Sequence, residues 1–284
     1  MSENDVVETS FTLRNSFGDP ISGELRYVPR GGNQPAIIIC HSLMAFKDWG
    51  FFPYSAAKIA QAGFVAVTFN FSLNGVVAHG NRITEFSKFE RNTFSRELHD
   101  LKIVTDTVQR NDFGVQGLDT DRLALLGHSR GGGESIVFSS MDDRVRALVT
   151  WSAISTFDRW TIRQKEKWSN LGYLPLAKDS TVSPLRLGIQ LLNDYTQQSD
   201  RLDITKAASS LRIPWLLLHG KADVIVGSRE AETLYASSNK LQTQLVLLDH
   251  VGHLYNAASP EEDHYQTFNS ILDLTTHWLQ QKLT

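Results

Sequence analysis

Residues 123–133 read LALLGHSRGGG, a short apolar run followed by a Gly-x-Ser-x-Gly pentapeptide and two further glycines. Residues 122–126, which hold the apolar run, read as a strand and 130–140 as a helix. Between them the chain must turn sharply enough to leave the Ser129 hydroxyl exposed above the sheet edge. Side chains at the positions flanking that turn would clash. Gly127 and Gly131 remove those clashes, and Gly132 and Gly133 let the helix approach closely. The pentapeptide occurs by chance in many chains, but the strand before it and the helix after it give it the context of a nucleophile turn.

The same alternation extends outward in both directions. Upstream, 36–40 (AIIIC) and 64–69 (FVAVTF) are strand-like, and 55–62 between them looks helical. Residues 95–109 place Leu98, Leu101, Val104 and Val108 at helix spacing. Segments 9–14 and 23–28, on either side of Asn15, Gly18, Asp19 and Pro20, read as a hairpin. Downstream, strands are expected at 145–151, 213–218 and 244–248, with helices at 229–236 and through Tyr265, Phe268, Leu272 and Trp278. Strands alternating with helices argue for the α/β class, a mostly parallel central sheet flanked by helices, here as a single domain over 1–284. About sixty residues separate the strand ending at Trp151 from the next, where a crossover needs only about a dozen. This segment carries Trp160, Trp168, Tyr173 and Leu191 between charged residues and is expected to form a small helical lid, residues 154–206.

A serine hydroxyl is a weak nucleophile and needs a base that an acid orients. In a strand–turn–helix site of this kind the chain order is Ser, then Asp, then His. Asp223, in HGKADVIV, follows one expected strand, and His253, in DHVGHLYN, follows the next. Loops after the C-terminal ends of strands are where the active sites of open α/β sheets gather. Ser129, Asp223 and His253 are therefore the expected catalytic residues. Asp249 competes as the acid but reads as a turn residue, while Asp158 and Asp203 read as surface charges. His128 and His219 are expected to make structural hydrogen bonds. The oxyanion needs donors, and the layout supplies them from the backbone N–H of Arg130 and from the loop 40–44, at Leu43. Only the Leu43 backbone is used, so Leu43→Ala is expected to slow the reaction far less than Ser129→Ala; equal losses would contradict the assignment.

Composition closes off other classes. A net charge of −3 offers no basic footprint for nucleic acid, and a single cysteine allows no internal disulfide. Cys40 reads as core packing. No run spans a bilayer and the N-terminus lacks a signal pattern, so a soluble, cytoplasmic chain without membrane association is expected. There is no phosphate loop, no dinucleotide fingerprint and no metal-ligand spacing, and no cofactor or metal is expected. Trp160 and Trp168 either line an acyl pocket or pack the lid onto the core.

At these residues the chain resembles the serine α/β-hydrolases, and within them the bacterial dienelactone-hydrolase-like and acyl-peptidase-related esterases that include cinnamoyl esterases. The likeness runs from about Ala36 onward and rests on CHSLMAFKDW, FNFSLNG, GHSRGG, HGKADVIV and GHLYN. It implies the α/β-hydrolase fold, the triad Ser129, Asp223 and His253, and oxyanion donors at Leu43 and Arg130. Two positions depart from the pattern: His41-Ser42 stands where His-Gly is usual, and Val226-Gly227 where Val-Pro is usual. The expected function is cleavage of small carboxylic esters through an acyl-enzyme. A thioesterase or short-substrate peptidase on the same triad, and a non-catalytic ligand-binding protein of the same fold, are the rival readings. The oligomeric state is not legible in the chain.

Overall fold

A computed structural model describes residues 5–30, 32–77, 80–176, 185–257 and 265–283. The strands are β1 (Val7–Arg14), β2 (Pro20–Tyr27), β3 (Gln34–Cys40), β4 (Val65–Phe69), β5 (Leu118–His128), β6 (Val145–Trp151), β7 (Tyr173–Pro175), β8 (Arg186–Gly188), β9 (Trp215–Gly220) and β10 (Thr243–Leu248). The helices are α1 (Phe52–Gln61), α2 (Phe86–Glu90), α3 (Phe94–Arg110), α4 (Arg130–Ser139), α5 (Ile162–Leu171), α6 (Ile189–Gln197), α7 (Ile204–Ser210), α8 (Arg229–Ser237) and α9 (Tyr265–Lys282). Eight strands form one sheet in the order β1-β2-β4-β3-β5-β6-β9-β10. The β1–β2 and β2–β4 pairs are antiparallel and the others parallel, as the alternation of the sequence requires.

Because side chains alternate across a strand, each central strand feeds two cores. On one face, Ile38 of β3, Leu125 of β5 and Leu217 of β9 pack with Leu98 and Leu101 of α3 and Val137 of α4. On the other, Ile37, Leu126 and Leu218 pack with Ile59 of α1 and Phe268 and Leu272 of α9. The chain leaves β3 toward α1 on one face and leaves β5 toward α4 on the other. β3 and β5 are neighbours, so their exit loops part and open a crevice at the C-terminal edge of the sheet.

The segment after β6 holds α5, the short β7–β8 hairpin, α6 and α7. Part of it, 177–184, lies outside the described residues. Its apolar side chains, among them Trp168, Leu191 and Leu192, continue the core that covers α3 and α4. α2 and the β7–β8 hairpin have no counterpart among the expected elements: five-residue and three-residue elements are too short to show a period.

Candidate active site

Ser129 sits between β5 and α4 with φ +57° and ψ −118°, a conformation that costs about 1–3 kcal/mol and persists only where the surroundings impose it. They do so here: the Ser129 N–H donates to the Trp151 carbonyl at 2.9 Å, and the Ser129 carbonyl accepts from Gly132 N–H at 3.1 Å and Ile154 N–H at 3.3 Å. The glycines are demanded by close approach. A Cβ on Gly127 would lie 2.3 Å from the Gly131 carbonyl oxygen, and one on Gly131 would lie 2.5 Å from the carbonyl oxygens of both Cys40 and His41.

Asp223 follows β9 and His253 follows β10, neighbouring parallel strands whose exit loops meet. His253 Nδ1 lies 2.7 Å from Asp223 Oδ2. The other carboxylate oxygen, Oδ1, accepts the N–H groups of Ile225 at 2.9 Å and Val226 at 2.8 Å. Burial opposes ionisation of Asp223, but hydrogen bonds from His219, His253 and the Val226 N–H outweigh it and hold the carboxyl well below the usual carboxylate range. An ionised carboxylate can only accept, so the imidazole proton resides on Nδ1 and Nε2 is left with a lone pair. The competing carboxylates are engaged elsewhere. Asp249 pairs with Lys221 at 2.8 Å, Asp158 with Lys165 at 2.5 Å, and Asp203 caps α7.

The two further histidines brace the loops. His128 Nε2–H donates to the His253 carbonyl at 3.0 Å, and burial pushes its pKa down to about 3, so it stays neutral. His219 Nε2–H donates to the Val226 carbonyl at 2.8 Å. Tyr255, itself at φ +54°, donates its hydroxyl to the Leu218 carbonyl at 3.0 Å and ties the loop that carries His253 to β9.

Ser129, His253, Arg130 and Leu43 line one cavity of about 290 Å³. Neither the Leu43 N–H nor the Arg130 N–H donates to an acceptor among the described residues; Arg130 opens α4, where the first amides have no partner within the helix. The loop bearing Leu43 is shaped by Met44 at φ +63° and by the Ala45 N–H donating to the Ser42 carbonyl at 3.1 Å. The buried His41 beside it donates Nδ1–H to the Ser42 carbonyl at 2.9 Å, while its Nε2 accepts the Phe71 N–H at 3.3 Å. Ser42 thus takes its place in the loop through its backbone carbonyl.

The remaining wall is apolar, with Phe94, Ile154, Phe157, Trp160 and Leu254 prominent, and Arg159 is a cation on it. Trp160 lines the cavity; Trp168 is fully buried behind it, edge to face at 4.9 Å between ring centres, and is not among the lining residues. Sequence reasoning did not single out Phe94, Phe157 or Arg159. The available signal was positional: Phe157 and Arg159 lie just beyond the C-terminal end of β6, at the same sheet edge as Asp223 and His253.

Superposition on solved structures settles the architecture. An α/β hydrolase, GrgF, of Penicillium sp. sh18 aligns with a TM-score of 0.77 at 14% identity, over 98% of this chain and 99% of that one. The fold is the α/β-hydrolase fold. A dienelactone hydrolase of Anabaena variabilis ATCC 29413 aligns on the same fold with a TM-score of 0.64 at 16% identity, over 98% and 99% of the two chains. Among curated proteins, the 2,6-dihydropseudooxynicotine hydrolase of Paenarthrobacter nicotinovorans is 22% identical over 202 residues, 70% of this chain and 47% of that one. The matched stretch therefore spans about half of that relative's length. No family model matches the chain. Within the α/β-hydrolase fold, Ser129, Asp223 and His253 occupy the exits of β5, β9 and β10. Among the described residues no helix is long and apolar enough to cross a membrane, and no group of three or more His, Cys, Asp and Glu could hold a metal ion.

Proposed function

We propose that the protein is a serine hydrolase that cleaves small carboxylic esters through an acyl-enzyme. The observation that carries this reading is the convergence on one cavity of a strained serine turn, an Asp-oriented imidazole with a free Nε2 and two unengaged backbone N–H groups. Ser129 attacks the carbonyl while His253 Nε2 takes its proton, and the developing oxyanion is met by the N–H groups of Leu43 and Arg130. His253 returns the proton to the departing alcohol and then activates water for deacylation. Asp223 holds the imidazole tautomer and stabilises the imidazolium.

The apolar wall favours an uncharged acyl group, and a volume of about 290 Å³ fits a short or medium chain or a single ring. On this reading residues 154–206 act as a lid within a single domain, and Trp160 is the lid residue that bounds the acyl site. Hydrolysis of p-nitrophenyl esters from acetate to long acyl chains, with Ser129→Ala as the blank, tests the proposal. Turnover in the wild type that vanishes in the variant is expected, with an optimum at short to medium chains. Identical rates in the two proteins across the whole series would refute it, and thioesters and short peptides would then be assayed in its place. Trp160→Ala is expected to move the optimum toward longer or bulkier acyl groups, because it enlarges the cavity without touching the triad; an unmoved optimum would remove Trp160 from the acyl site.

A further inference from the structure

The side chain of Arg130 joins a buried cluster that the mechanism above does not use. Its Nε–H donates to Glu134 Oε1 at 3.0 Å, its Nη2–H donates to Glu97 Oε2, and its guanidinium lies 4.5 Å from the centre of the Phe94 ring. All three charged side chains are almost fully buried, with 8% of Arg130, 6% of Glu97 and 1% of Glu134 exposed. One cation and two carboxylates leave a net negative charge away from water, a state that proteins avoid by taking up a proton.

The hydrogen bonds say which carboxyl takes it. Both Glu97 oxygens accept from donors, Oε2 from Arg130 and Oε1 from Asn92 Nδ2–H at 2.6 Å. Glu134 Oε2 is buried and accepts from no donor among the described residues, so a proton on it is free to be donated to the Glu97 carboxyl. Burial and then the like charge of Glu97 raise the Glu134 carboxyl well above its ordinary range. Burial also opposes ionisation of Glu97, but the Arg130 guanidinium and hydrogen bonds from Glu134 and Asn92 bring it below the ordinary value. The other titratable groups acting on the pair come from the end of β3. Burial pushes Cys40 up to about 12 and His41 down to about 4, so neither exchanges a proton near neutrality.

Arg130 is the first residue of α4, and its guanidinium is tied one turn along that helix to Glu134 and across to α3 through Glu97. We propose that Glu97 and Glu134 are positioning residues of the oxyanion hole: with one proton shared by their carboxyls they grip Arg130, fix the direction of its backbone N–H and leave no net charge beneath it. This rests on the reading of Arg130 as an oxyanion donor.

Infrared difference spectra and steady-state kinetics test it separately. At neutral pH the wild type is expected to show the C=O stretch of a protonated carboxylic acid that is missing in Glu134→Gln. Glu97→Gln is expected to lose the band as well, because Glu134 must then ionise to pair with Arg130. A wild type without the band, or a band that survives in either variant, overturns the shared proton. In ester hydrolysis Glu134→Ala is expected to lose about tenfold in kcat with KM nearly unchanged, since the donor acts on the transition state. Glu134→Gln, which still accepts from Arg130 and donates to Glu97, is expected to recover most of that loss. Equal losses in Ala and Gln variants, a loss confined to KM, or no loss overturns the positioning role. If Glu134→Ala does not fold, Glu134→Gln with kcat reduced tenfold does the same. A band together with no turnover in any protein refutes the ester reading and the positioning role and leaves the shared proton standing.

Discussion

Asp223→Asn is expected to fold and melt like the wild type and to lose about 10⁴-fold in kcat on any ester it hydrolyses. The reason lies in the two ends of one carboxylate. Oδ1 accepts N–H groups from both Ile225 and Val226, so an asparagine must place its carbonyl oxygen there. Its NH2 group is then forced into the Oδ2 position, 2.7 Å from His253 Nδ1. Two donors cannot share that contact, so the imidazole proton moves to Nε2, where it blocks proton transfer from Ser129. The substitution changes the tautomer and little else. Circular dichroism and thermal melting alongside kcat check it: a loss of less than about tenfold in a folded protein would mean that Asp223 does not orient the base.

Gly131→Ala is expected to cost at least ~3 kcal/mol of stability, seen as a fall in Tm of about 10 °C or as failure to accumulate folded protein. The added Cβ would stand 2.5 Å from two backbone oxygens, those of Cys40 and His41, and neither can turn aside as a side chain could. Relief would require β3 and the start of α4 to separate, which also opens the space between the Leu43 and Arg130 N–H groups. Gly227→Ala is the control. Nothing lies within 4 Å of a Cβ there, so a change within about 0.5 kcal/mol is expected. Melting temperatures that fall together would show that packing at the serine turn is not what makes Gly131 necessary.

The contrast between these glycines shows what a single sequence discloses. The strand-like runs and the Gly-x-Ser-x-Gly turn were legible because they are local: AIIIC alternates between two cores, and the glycines that the serine turn needs, Gly127 and Gly131, stand within two residues of Ser129. The order of Ser129, Asp223 and His253 was legible because parallel strands return their exit loops to one edge. Most of the cavity wall was not, since Phe94, at the start of α3, and Phe157, beyond β6, come from separate segments and meet only through packing. The Arg130 cluster was hidden for another reason. Glu97 lies next to Leu98 and one turn before Leu101, and such a charge at the edge of an apolar helix face usually reaches solvent. Here α4 covers it, and that follows from the fold alone. One signal was present: Arg130 and Glu134 are four residues apart in a helix whose other residues are all small or apolar.

The most direct test is covalent. The protein is treated with a fluorophosphonate ester, which reacts with an activated serine and leaves a stable adduct, and the labelled peptide is identified by mass spectrometry. A single adduct on the peptide containing Ser129 is expected, absent in Ser129→Ala and formed far more slowly in His253→Ala and Asp223→Asn. Folded wild-type protein that takes no label, or labels equally well without Ser129, would contradict the assignment of Ser129 as an activated nucleophile.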